Sequence, residues 1–142
     1  MTFIAWVWLG MILGVSFLAA PAKFQAETLT LPVALEVGRV TFGLFDRLEW
    51  LWTAALIITA WRRRRAGRLD GWSLGLVAMI LAIVCIQSWW FLPALDVRVS
   101  VYMAGETPPP SPLHLLSGFA EVVQAAALAW LGWRALERPP AA

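Results

Sequence analysis

The sequence predicts an all-α protein, a polytopic bundle of four transmembrane helices with both termini in the cytoplasm. Three observations predict it. Apolar residues make up 61% of the 142-residue chain and charged residues 14%, against roughly 25% charged in ordinary soluble domains. A soluble fold of this size has too much surface for its volume to bury that much apolar area. The apolar residues also gather into four long segments with short polar connections. Finally, five of the eleven basic residues lie between Arg62 and Arg68, between two of those segments, and a basic loop of this kind sets orientation. The ten tryptophans suit helix ends placed at a membrane–water interface.

The first segment, Thr2 to Ala22, has 21 residues and no charge, enough to cross a hydrocarbon core of about 30 Å. Ala20-Pro21-Ala22 resembles a small-residue cleavage site. No Lys or Arg precedes the run, however, and it is long for a signal peptide, so a retained helix is expected. The second segment is charge-free only from Trp50 to Trp61, which is 12 residues and too short to span. Its helical pattern extends backward through Thr41-Phe42-Gly43-Leu44-Phe45, taking in Asp46, Arg47 and Glu49. Pro32 suits the first turn of such a helix, and 33–61 would measure about 43 Å. The third segment, 71–95, has 25 uncharged residues, with Gln87 and Ser88 as polar interruptions and Pro93 near its end. The fourth covers about 113–133, after Ser111-Pro112, which reads as an N-cap followed by proline. The whole of 1–142 forms one membrane domain.

Orientation follows from the basic residues. Arg62, Arg63, Arg64, Arg65 and Arg68 hold the middle loop in the cytoplasm, and four crossings then place both termini there. Arg134 and Arg138 agree. The outer side retains Lys23, Arg98 and Arg39. The expected compartment is a bacterial-type inner membrane, with the lipid bilayer as the first partner. A homo-oligomer or another membrane protein is a further expected partner.

Ionisable groups at membrane depth are costly and usually face a bundle interior or a wet cavity. On the fourth helix, His114, Ser117, Glu121 and Gln124 are spaced three, four and three, which puts them on one face. Counting the helical rise from the expected outer boundaries, Glu121 and Gln87 lie about 12 Å deep, Glu49 about 10 Å, Ser16 about 9 Å and Asp46 about 6 Å. The expected site is therefore an outer-half polar layer of Ser16, Asp46, Arg47, Glu49, Gln87, Ser117, Glu121 and Gln124, with Arg39 and His114 at its rim. Glu121 is expected to pair with Arg47 or Arg39, the basic side chains able to reach its level. Two glycine pairs, Gly10 with Gly14 and Gly71 with Gly75, have the GxxxG spacing that lets helices approach closely, and packing within the bundle is expected of them. Trp89-Trp90-Phe91 is expected to anchor the third helix at the outer interface.

Several chemistries are excluded. One cysteine, Cys85, cannot form an intramolecular disulfide. With His114 as the single histidine, the chain cannot assemble a Cys/His zinc site or a bis-histidine haem. A carboxylate metal site stays open in principle, but no cofactor is expected. The arginine run lies between apolar segments, which favours a topology signal over nucleic-acid binding. No nucleophile–base set is recognisable.

The chain resembles the transmembrane protein 205-like family, also called domain of unknown function 4149. The resemblance is carried by Trp8-Leu9-Gly10, Ala20-Pro21-Ala22-Lys23-Phe24, the stretch from Gly38 to Phe45, Leu92-Pro93-Ala94-Leu95-Asp96-Val97-Arg98 and Leu113-His114-Leu115-Leu116-Ser117. It implies a four-helix membrane protein and a retained first helix, and supplies no established activity. Members often carry an Asn a few residues after the His-x-x-Ser pair, where this chain has Glu121. The functional expectation is a small-solute or cation binding or permeation component that uses the polar layer. A structural or assembly subunit is the alternative, and a membrane enzyme comes third.

The topology has a direct test. Ala26→Cys and Glu106→Cys should react with an impermeant thiol reagent added outside intact cells, and Ala66→Cys should not. Labelling of Ala66→Cys from outside would reverse the orientation.

Overall fold

The computed structural model describes residues 1–137 and is helical throughout its regular elements; Arg138, counted above with the inner basic residues, lies outside them. Four long helices are present: α1 (Thr2–Gln25), α2 (Leu31–Arg65), α3 (Gly71–Met103) and α4 (Leu113–Glu137). Each packs on its neighbours in chain order, and α1 closes the ring with an extensive contact against α4. α2 and α4 thus face each other across one diagonal.

α1, α3 and α4 are each long and apolar enough to cross a membrane. α2 has the length, at 35 residues, but carries Glu36, Arg39, Asp46, Arg47 and Glu49. Its packing partly reconciles that composition with a bilayer. The inward stripe is Ala34, Gly38, Phe45, Glu49, Thr53, Leu56 and Ala60, so Glu49 points away from any lipid. Val37, Val40, Leu44, Leu48, Leu51 and Ile58 point outward. Arg47 is the exception in this stretch, exposed on the outer surface.

Two proline-linked irregularities shape α1 and α3. A wide π-helical stretch, Leu13–Ala19, precedes Pro21, and another, Gln87–Phe91, precedes Pro93. Each proline then falls in the first turn of the next α-helical segment. Proline has no N–H to donate, and its ring crowds the carbonyl four residues back. A widened turn just ahead of it relieves both problems. This explains why α3 passes through Pro93 and continues to Met103 instead of ending near Leu95, as the sequence suggested. Trp89 and Trp90 project outward, while Phe91 turns into the bundle.

Trp8, Ile12, Leu56, Ile80, Val84, Leu128 and Leu131 are fully buried where the helices meet. Large apolar side chains such as Phe3, Leu18, Trp89, Leu115 and Phe119 are more than 60% exposed. So much outward apolar surface belongs in lipid. The expected packing role of the two glycine pairs is not found. A side-chain carbon added at Gly10, Gly14, Gly71 or Gly75 would meet nothing within 4 Å, because these faces point out of the bundle. The close approach is instead at Gly132 of α4, where an added carbon would lie 2.9–3.3 Å from the Trp6 indole of α1.

Gly132→Ala should therefore destabilise the protein in detergent by about 1–3 kcal/mol, the usual cost of overpacking. Gly10→Ala should be neutral or stabilising by up to about 1 kcal/mol, from helix propensity alone. Unfolding followed by circular dichroism would separate the two.

Candidate functional site

Glu49 is the centre of the polar layer. It is 3% exposed, because the 34–38–45–49–53–56–60 stripe of α2 turns it to the bundle axis. One of its oxygens, Oε1, accepts two hydrogen bonds: from Trp8 Nε1 of α1 at 3.1 Å and from Gln124 Nε2 of α4 at 2.7 Å. Gln124 has no solvent exposure. The bond from Gln124 crosses the diagonal, joining two helices with little backbone contact.

A second group lies between α2 and α3. Asp46 accepts a hydrogen bond from Ser88 Oγ, and Ser88 accepts one from Trp50 Nε1 at 2.9 Å. Ser88 sits in the wide turn of α3. Trp50 also contacts Trp89, with ring centroids 5.8 Å apart. Between α1 and α2, Trp52 Nε1 points to Met11 Sδ at 3.2 Å.

The structure brings together part of the set expected from sequence. Asp46, Glu49 and Gln124 are bonded as described, and the charges of Glu121 and Asp46 are close enough to bear on Glu49. Glu121 lies beside Ser16 of α1, whose Oγ is buried without completing a hydrogen bond. Gln87 is 9% exposed, and its Nε2 has no acceptor. Ser117 is half-buried and His114 exposed, and both stand apart from the bonded network.

The pairing expected for Glu121 is not formed. Arg39 pairs with Glu36 one turn earlier on its own helix, at 3.4 Å, and Arg47 points outward. Among the described residues, the ion pairs are Arg39–Glu36 and Arg134–Asp70. Asp46 and Glu49 are therefore held by neutral donors, and among the described residues none of Asp46, Glu49 and Glu121 has a cation at contact distance. Among the described residues, no group of His, Cys, Asp and Glu has the geometry to hold a metal ion.

Sequence reasoning missed Trp8, Trp50 and Ser88. Tryptophans were read as interface anchors, yet Trp8 stands six residues into α1, about 9 Å along the helix. That depth was a usable signal that its N–H needs a buried acceptor. Gln124 stands ten residues before Arg134, about 15 Å along α4.

Comparison with known families bears on the part of the molecule that supplies Trp8, Asp46, Glu49, Gln87 and Ser88. The family model described as domain of unknown function, DUF4149, matches residues 3–96. The chain belongs to the DUF4149 family. No curated protein and no solved structure matches it. The DUF4149 match spans α1, α2 and most of α3, so Glu121 and Gln124 lie beyond it.

Removing a donor from the buried carboxylate should be costly. Gln124→Leu should lower stability by about 1–3 kcal/mol, the penalty for leaving a buried polar group short of a partner. Glu121→Gln combined with Arg47→Gln or Arg39→Gln should be additive within about 0.5 kcal/mol, as expected for groups that share no bond. Denaturation of the single and double variants in detergent measures both.

Proposed function

We propose that this DUF4149 protein is a four-span inner-membrane protein, with its termini and arginine loop inside, that binds a small cation, the proton included, at its intramembrane carboxyl group cluster. The observation that carries the reading is the placement of Glu49. It is buried on the bundle axis, bonded by Trp8 and Gln124, with Asp46 and Glu121 nearby and no basic side chain in contact. Uncompensated negative charge in a low-dielectric interior is unfavourable, so a cation or proton must neutralise it. Intramembrane carboxyl groups without basic partners are characteristic of cation and proton pathways.

Binding is better supported than free permeation. Between Thr53 and Ser73, toward the arginine end, the core is apolar: Ala5, Leu56, Ala60, Val77, Ile80, Leu128 and Leu131 are all buried there. A continuous aqueous path through those residues has no polar lining. The second reading, an assembly subunit of a larger membrane complex, is favoured by the outward-facing Gly10 and Gly14, where another helix could approach closely.

Trp8 offers a built-in reporter. In protein labelled with 5-fluorotryptophan, the Trp8 fluorine resonance, assigned through Trp8→Phe, should shift on titration with pH or with sodium, potassium or lithium. The shift should disappear in Glu49→Gln. A Trp8 resonance indifferent to protons and to all three ions would reject the binding reading and leave the assembly reading.

A further inference from the structure

The arginine end of the bundle holds a second polar constellation, separate from Glu49. Arg63, Arg68 and Arg134 line one shallow cleft together with Ser73, Leu69 and Leu131. They arrive from three places in the chain: the last turn of α2, the loop after it, and the last turns of α4.

Local backbone chemistry explains how the first two meet. Gly67 adopts φ +66°, the left-handed conformation in which glycine ends a helix at little steric cost. Its N–H donates to the Arg64 carbonyl at 3.0 Å, and the Arg68 N–H donates to the Arg63 carbonyl at 2.8 Å. This pair of reversed bonds folds the chain back over the final helical turn and sets Arg68 beside Arg63.

Arg134 is placed differently. Its Nη2 bonds Asp70 Oδ2 at 2.8 Å, while Asp70 Oδ1 accepts from the Ser73 N–H at 3.3 Å and caps α3. The clamp positions the guanidinium without using all of it, since Arg134 Nε is buried and lacks an acceptor. A buried donor left unpaired is unfavourable. Asp70 offsets the charge of Arg134, and Arg63 and Arg68 supply the net positive potential at the concavity.

The surroundings indicate what kind of anion fits. Trp61, Trp72 and Trp133 are each more than 50% exposed at this same end, and the Arg65 guanidinium lies 4.1 Å from the centroid of the Trp61 ring. Exposed indoles at helix ends mark the level of lipid headgroups. Leu69 adds an apolar wall beside the arginines, with Leu131 buried behind it.

We propose that this cleft seats the phosphate of an anionic phospholipid headgroup, held by Arg63, Arg68 and Arg134. The proposal does not rest on the reading of Glu49. An arginine run alone attracts anionic membrane diffusely; the cleft gives that attraction one defined location.

The test titrates short-chain phosphatidylglycerol, short-chain phosphatidylcholine and inorganic phosphate separately into the full-length protein in neutral detergent, reading tryptophan emission. Phosphatidylglycerol should bind most tightly. The Arg63→Gln/Arg68→Gln double variant should weaken it by about thirtyfold, from the loss of two surface arginines. The Arg62→Gln/Arg64→Gln double variant removes the same charge outside the cleft and should have a much smaller effect. Helicity matching the wild type checks the fold of both. Equal weakening by the two double variants would overturn the defined seat in favour of diffuse attraction. Phosphatidylcholine binding as tightly would overturn it as well. Inorganic phosphate binding as tightly through the same arginines would make the occupant a free anion and overturn the lipid assignment.

Discussion

A carboxylate buried among apolar helices needs donors within reach, and those of Glu49 come from two other helices. The α1 indole and the α4 carboxamide meet the α2 carboxylate on a single oxygen. Helices in lipid gain little from hiding apolar surface, since the surrounding tails are just as apolar; packing and interhelical hydrogen bonds must specify the arrangement. A bond that crosses the diagonal does so efficiently. It sets the rotation of α2 so that its other acidic groups face inward or sideways, and it fixes the height at which α1 and α4 lie against each other. The tight passage of Gly132 over Trp6 depends on that height.

The wide turns of α1 and α3 belong to the same constraint. Both are followed by proline, and both carry polar residues of the layer: Ser16 in one, Gln87 and Ser88 in the other. A widened turn alters the angular step of the helix and so re-aims the side chains around it. Ser88 reaches Asp46 from within such a turn. The backbone irregularity and the side-chain network are thus two aspects of one local solution, confined to the level where polar groups gather.

Much of the architecture was legible in the sequence because hydrophobic run length and charge placement are properties of single segments. The helix starts at Thr2, Gly71 and Leu113 follow from them directly. The helical period is countable too, and Glu49 and Gln124 are buried on inward faces. Partnerships were not countable. Which residue Glu121 meets depends on how each helix is rotated about its own axis, and that is decided by contacts between segments. Arg47 has the right depth to meet Glu121 and the wrong azimuth. The glycine pairs failed for the same reason, spacing being informative about a face but silent about what it faces. The extension of α3 beyond Leu95 was hidden because a proline read alone looks like a terminator, and the relieving wide turn has no simple sequence signature.

The closure of α1 against α4 also has a consequence for biosynthesis. α4 is made after α1, α2 and α3 and packs extensively on both α1 and α3, so the ring stays open until α4 has left the ribosome. A nascent chain that ends before Leu113 presents Glu49 with the Trp8 donor but without Gln124, and offers Trp6 no Gly132 to lie against. The first three helices alone therefore form an open ring with an under-bonded carboxylate, and docking of α4 closes the ring and adds the Gln124 hydrogen bond in one event.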